Sequence, residues 1–157
     1  MTADPAAFVL YTDGGCHPNP GRGGWGVVIL QGGRVVDELS GGEARSTNNR
    51  MELTAAAEAL RAVPEGASAQ IHTDSTYVRD GITRWIVGWR RNGWRTKDGG
   101  EVKNQDLWRQ LDALAATREV QWCWVPGHAG HRHNERADAL AAAAIRGART
   151  QGRSSGA

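Results

Sequence analysis

A change of period at Asn49 constrains the fold more than any other feature of the sequence. Before it, residues 8–12, 25–31 and 34–40 are runs of β-branched, aromatic and aliphatic side chains, and the last two are separated only by Gly32 and Gly33. A two-residue glycine connection of this kind marks a tight β-hairpin. After it, Leu53, Ala56, Ala57, Leu60 and Val63 recur at helical spacing until Pro64 and Gly66 end the run. Residues 70–73 then form another strand, and a strand reached through a helix is expected to return by a right-handed crossover and pair in parallel. The sequence therefore predicts three antiparallel strands followed by parallel ones, an α/β fold with a mixed five-stranded sheet flanked by helices. Asp74 or Ser75 caps a short helix through Tyr77 and Val78. Residues 104–116 hold Leu107, Leu111 and Leu114 at helical spacing, residues 120–125 supply the fifth strand, and residues 134–145 an alanine-rich last helix.

With 157 residues, no internal repeat and no dividing linker, the chain reads as one domain over residues 1–146, and its polar Gly/Ser/Arg-rich tail at 147–157 is expected to be disordered. The formal net charge is only +2, yet residues 84–103 hold Arg84, Arg90, Arg91, Arg95, Lys97 and Lys103 against Asp98 and Glu101. Basic charge concentrated in this way, and interleaved with Trp85, Trp89 and Trp94, points to a polyanion docking on one region. Cys16 and Cys123 stand far apart and the N-terminus lacks a signal-peptide pattern, which implies a reducing, cytoplasmic setting. No apolar run approaches the ~18 residues that span a bilayer, so no membrane partner is expected. Nothing demands more than a monomer.

Chemistry is expected where the first strand stops. The run at 8–12 ends at Asp13-Gly14-Gly15, a carboxylate followed by glycines that let the backbone turn and let another molecule approach closely. The same grammar recurs at Thr73-Asp74. If the first and fourth strands are neighbours, Asp13 and Asp74 emerge side by side, with Glu52 near the start of the first long helix and Asp138 in the last. Each has an ordinary alternative: Asp13 in a turn, Glu52 as capping-box partner of Asn49, Asp74 as an N-cap, Asp138 as a solvated helix residue. Gathered together, however, like charges repel and raise one another's pKa unless a cation lies between them. Hard oxygen ligands favour Mg²⁺, and two such ions about 3.5–4 Å apart can activate a water and stabilise the leaving oxygen of a phosphodiester.

These residues lie in motifs that resemble the bacterial-type ribonuclease HI family. They are Tyr-Thr-Asp-Gly-Gly-Cys at 11–16, Thr-Asn-Asn-Arg-Met-Glu-Leu at 47–53, Thr-Asp-Ser at 73–75, Trp-Val-Pro-Gly-His-Ala-Gly-His at 124–131 and Asn-Glu-Arg-Ala-Asp at 134–138, in order and covering residues 8 to about 146. The resemblance implies a ribonuclease H-like fold and an endonuclease that hydrolyses the RNA strand of RNA/DNA hybrids by a two-metal-ion mechanism, leaving 3′-hydroxyl and 5′-phosphate ends. Mg²⁺ is the implied cofactor, with Mn²⁺ as a substitute. Asp13, Glu52, Asp74 and Asp138 match the metal-binding, catalytic carboxylates, and His128 the loop histidine suited to proton transfer or product release. His131 and His133 are left as exposed loop residues.

Recognising a hybrid means finding ribose on one strand and deoxyribose on the other, and only the 2′-hydroxyl distinguishes them directly. By resemblance, the backbone around Gly14, Gly15 and Cys16 and the side chains of Asn19, Asn48 and Asn49 line the RNA side, while Thr76 stands where glutamine is often found. Arg45, Thr47 and Asn104 match a phosphate-holding pocket for the DNA strand. Tyr77, Trp85 and Trp89 match a channel where sugars pack on rings, although core packing is an equal alternative for Trp89 and Trp94. The basic stretch, with Arg90 and Arg91, matches a protruding handle that attracts nucleic acid without reading sequence. Two rivals stand beside this reading: a non-catalytic hybrid-binding protein using the Trp/Arg stretch alone, which would not need all four acids, and a nuclease of the same fold acting on DNA.

Overall fold

The structure, a computed structural model, describes residues 7–125 and 131–147. Strands β1 (Phe8–Cys16), β2 (Gly21–Gln31) and β3 (Arg34–Ser46) form an antiparallel meander. Helix α1 (Asn48–Arg61) then crosses to β4 (Ser68–Thr73), which pairs with β1 in parallel. Helix α2 (Thr76–Asp80), a π-helical turn over Gly81–Trp85 and α3 (Ile86–Arg91) follow one another directly. Helix α4 (Gln105–Ala116) leads to β5 (Glu119–Trp124), parallel to β4, and α5 (Arg132–Gly147) comes last. The strand order is β3-β2-β1-β4-β5, the mixed sheet that the sequence predicts. Gly32 and Gly33, at φ 63° and 80°, supply the paired positive φ values that a tight hairpin turn requires.

Side chains of β1 and β2 alternate between two cores. Leu10, Val27 and Ile29 enter the larger one with Leu53 and Leu60 of α1, Ile71 of β4, and Trp108 and Leu111 of α4. Tyr11, Val28 and Leu30 enter the smaller one with Ala137 of α5, and Val9 and Leu140 pack against it. Because successive residues of a strand point to opposite faces, apolar side chains at consecutive positions need a helix layer on each side. Leu10, Leu53, Leu60 and Ile71 are fully enclosed, and each such burial stabilises by about 1.5–3 kcal/mol.

The first strand is longer than its pattern predicts. It continues through Asp13 to Cys16, with Asp13 opposite Gly26, Gly14 opposite Trp25 and Gly15 opposite Gly24. Asp13 therefore lies within the strand rather than at its end, and the connection between the first two strands is only residues 17–20. Close packing explains the glycines. A Cβ on Gly14 would lie 2.4 Å from the carbonyl carbon and oxygen of Met51 and 2.8 Å from the Glu52 nitrogen, so α1 rests on bare strand backbone. Gly26 does the same for α5, where a Cβ would meet the Ala137 carbonyl oxygen at 2.5 Å.

The structure also decides two helix caps. Thr47, not Asn49, caps α1, its Oγ1 accepting the Arg50 N–H at 3.2 Å. Glu52 is then two residues too far along to complete a capping box, and its carboxylate is free for other contacts. At α2, of the two expected candidates, Ser75 is the cap, its Oγ accepting the Val78 N–H at 3.1 Å, and Asp74 is not.

Candidate active site

Parallel pairing sets Tyr11 opposite His72, so Asp13 and Asp74 each follow two residues beyond a paired position on neighbouring strands. Thr12 Oγ1 ties the two strands at this level by donating to the His72 carbonyl at 3.1 Å. Glu52 arrives from α1 across the bare surface of Gly14. One carboxylate oxygen from each of Asp13, Glu52 and Asp74 lies within 4.8 Å of the other two. From the opposite face, α5 brings Asp138, whose carboxyl group hydrogen-bonds that of Asp13. All four acids singled out in the sequence are thus brought together.

Their electrostatics show what the cluster lacks. Burial, the hydrogen bond that the protonated Asp13 carboxyl donates to Asp138 and the Asp74 charge push the Asp13 carboxyl up to about 8. Glu52 is held well above the usual carboxylate range by burial and then by the charges of Asp13 and Asp74. The Gly14 N–H opposes both shifts by hydrogen-bonding each carboxylate, but it is outweighed. Glu52 Oε1 is enclosed without any hydrogen-bond donor. An acceptor buried without a donor is costly, and a cation within reach of it removes that cost. An all-oxygen, acidic donor set suits a hard divalent ion.

Over the carboxylates opens a groove of about 430 Å³. Gly14, Gly15, Cys16, Asn48, Asn49, Thr76 and Tyr77 line it together with the four acids. Asn48 Oδ1 accepts the Cys16 N–H at 2.7 Å, and Asn19 Oδ1 accepts the Asn48 N–H at 3.0 Å. This clasp ties the 17–20 turn to the start of α1 and leaves the Asn48 side-chain NH₂ as the donor on offer.

Beyond the groove, Tyr77 and Trp85 meet edge-on at 5.8 Å and Trp89 lies 5.9 Å from Trp85. Trp85 is 38% exposed, Trp89 is half-buried against Trp108, and Trp94 at 9% belongs to the core. Of the two rings for which the sequence leaves core packing as an equal alternative, Trp94 is a core residue and Trp89 packs part-buried against the core, while Trp85 is the open ring. Thr47 stands at the cap, Arg45 and Arg91 are exposed, and Asn104 joins Tyr77 through a 3.1 Å hydrogen bond. Arg90 is turned back on the protein, its guanidinium paired with the Asp112 carboxylate.

His128 and the tail at 148–157 lie outside the described residues. His131 is not simply an exposed residue: its Nε2 lies 3.2 Å from the Tyr11 hydroxyl, and the rings of Tyr11, His72, His131 and His133 form one cluster. Arg50 is a further residue that the sequence reading passed over. It bridges Asn104 and Asp106, more than fifty positions away, and no local pattern announces such a contact. Among the described residues, no helix is long and apolar enough to cross a membrane.

Comparison with known proteins agrees with this geometry. The RNase H family model matches residues 5–146. A ribonuclease H of Thiobacillus denitrificans is 53% identical over 141 residues, covering 90% of this chain and 93% of that relative. Among solved structures, LC9-RNase H1, described as a type 1 RNase H with the type 2 active-site motif, superimposes with a TM-score of 0.80 at 33% identity, over 99% of this chain and 81% of that one. LC11-RNase H1, solved in complex with an RNA/DNA hybrid, gives 0.63 at 26% identity over 90% and 98% of the two chains. With the family match running through every element that carries an acid of the cluster, this chain belongs to the ribonuclease H family and is a nuclease.

Proposed function

We propose that the chain hydrolyses the RNA strand of RNA/DNA hybrids, using divalent cations held by Asp13, Glu52, Asp74 and Asp138. The observation that carries this reading is the meeting of these four carboxylates, one oxygen of Glu52 lacking any donor, on the floor of an open groove. Two Mg²⁺ ions, or Mn²⁺ in their place, supply when bound an activated water and stabilisation of the leaving oxygen. The water oxygen bonds to phosphorus as the bond from phosphorus to the 3′ oxygen breaks. That oxygen takes up a proton, which leaves a 3′-hydroxyl and a 5′-phosphate. His128 serves this proton movement or the departure of product, since an imidazole changes charge near neutral pH.

Discrimination of the strands falls to the groove wall. Because Asn48 Oδ1 is held by the Cys16 N–H, the Asn48 NH₂ meets the ribose side as a donor, and Asn19, Asn49 and the backbone at Gly14, Gly15 and Cys16 pack close to the 2′-hydroxyl. On the DNA side, Arg45, Thr47 and Asn104 hold a phosphate, Tyr77, Trp85 and Trp89 carry the sugars, and Arg91 with the other unpaired cations of the basic stretch adds salt-dependent attraction. LC11-RNase H1, similar over almost its whole length and solved with a hybrid, supports the same substrate. Action as a cytoplasmic monomer belongs to this reading.

Cleavage of a hybrid, an RNA duplex and a DNA duplex of one sequence, with Mg²⁺, tests it. The hybrid alone should be cut, on its RNA strand, and Asp13→Asn should abolish cutting while hybrid binding persists. Equal cutting of the DNA duplex overturns the substrate assignment, and near-normal activity of Asp13→Asn overturns the metal site.

A further inference from the structure

We propose that Arg50 is a positioning residue that sets the direction of the hydrogen-bond donors which Asn104 and Tyr77 offer to the DNA strand; this rests on the reading of Asn104 as a phosphate contact. Arg50 lies near the start of α1 and forms a two-point contact with Asp106, Nη1 to Oδ1 at 3.0 Å and Nη2 to Oδ2 at 2.8 Å. The same Nη1 donates to Asn104 Oδ1 at 3.2 Å. A guanidinium carries donors only. The Asn104 amide must therefore turn its oxygen toward Arg50 and its NH₂ away.

That NH₂ donates to the Tyr77 hydroxyl at 3.1 Å, and Trp108 Nε1, also a donor only, reaches the same oxygen at 3.0 Å. With two N–H groups donating to it, the Tyr77 hydroxyl keeps its own proton for a third partner. The second amide proton of Asn104 is likewise left for an acceptor. Both residues are donors as a result, and the oxygens of a nucleic-acid backbone are acceptors. Asn104 occupies the N-cap position of α4 yet makes no side-chain capping bond, which is the usual task of asparagine there. Its amide is committed to this chain of contacts instead. Asp106 neutralises Arg50, so the arginine directs the donors without presenting an unpaired charge to the strand.

The test is a double-mutant cycle on the full chain with Arg50→Ala, Asn104→Ala and both, measuring cleavage of one defined RNA/DNA hybrid across a series of salt concentrations. Arg50→Ala should raise KM about fivefold, the scale of one lost hydrogen bond, with kcat within about twofold. In the Asn104→Ala background it should add nothing further to KM. Its salt slope should match the parent, whereas each lost phosphate contact flattens the slope by about 0.9. A KM effect that survives in full without Asn104, a flattened slope, or an unchanged KM in Arg50→Ala each overturns the proposal. If Asn104→Ala itself leaves KM unchanged, the phosphate-contact reading fails first and takes the inference with it. Arg50→Met, which keeps most of the stem over α4, gives the same readouts should Arg50→Ala unfold.

Discussion

Gly14 and Met51 meet backbone to backbone: a single Cβ on Gly14 would stand 2.4 Å from both carbonyl atoms of Met51. Glu52 is the next residue, so this contact fixes how far its carboxylate stands from Asp13. Replacing Gly14 by alanine must push α1 outward, because the obstructing atoms are backbone and cannot rotate away. Overpacking of this kind costs about 1–3 kcal/mol. Activity should fall far more than stability, by at least about a hundredfold, since misplacing a catalytic group by roughly an ångström has that effect. Thermal unfolding alongside hybrid cleavage would check the contrast; an active Gly14→Ala protein would mean that Glu52 does not need this contact.

Asp13 makes the metal-free protein pH-sensitive in a defined direction. Its carboxyl is raised from the ordinary 3.8 to about 8 in the fold, so across that interval the folded chain holds a proton that the unfolded chain has released. The stability from this group is full below pH ~4 and is lost as pH rises through about 8. Glu52 is shifted in the same direction. In chelator, the melting temperature should decline between pH 5 and 9. Asp13→Asn should flatten the decline, and saturating divalent ion, which binds the ionised cluster and favours the folded state, should reverse it. A melting temperature that climbs with pH in chelator would contradict the electrostatics of the cluster.

Much of the architecture is legible because the period of apolar residues changes where the structure changes. The hairpin at Gly32-Gly33, the crossover through α1 and the parallel neighbouring strands that bring Asp13 and Asp74 together follow from local pattern and the rules of sheet connection. Asp-Gly-Gly misleads because glycine has two uses: it permits a turn, and it permits another backbone to come close. Only the position of α1 decides between them at Gly14. The same applies to His131, whose partner Tyr11 is stacked on His72 by strand pairing, and to Arg50, whose partner Asp106 lies on another helix.

The basic stretch should not act as a uniform cloud of charge. Arg90 already satisfies Asp112, while Arg91 on the same helix is exposed. Arg91→Ala should flatten the dependence of log affinity on log salt by about 0.9 if it neutralises a phosphate, and Arg90→Ala by much less. Filter binding of an uncleavable hybrid between low and moderate salt would rank the two. Equal slopes would mean that Arg90 leaves Asp112 when nucleic acid arrives.

Trp108 joins the core to the proposed DNA channel. It is fully buried, its indole fills the space above Gly81, and its N–H donates to Tyr77. Trp108→Ala should cost about 3–5 kcal/mol, as large-to-small changes in a core do. Trp108→Phe should recover most of that stability yet leave KM for the hybrid raised, because the donor to Tyr77 is still missing. Denaturant unfolding and steady-state kinetics on the two variants separate packing from positioning.

The smaller core has a consequence for the order in which the molecule comes into being. Tyr11, Val28 and Leu30 are hidden by α5, the last element of the fold, and α5 also carries Asp138. A nascent chain that has emerged only as far as β5 leaves this apolar face bare and holds three of the four carboxylates. Covering the face and delivering the last acid are one docking event. The apolar face and the carboxylate cluster therefore both stay incomplete until the final helix has cleared the ribosomal exit tunnel.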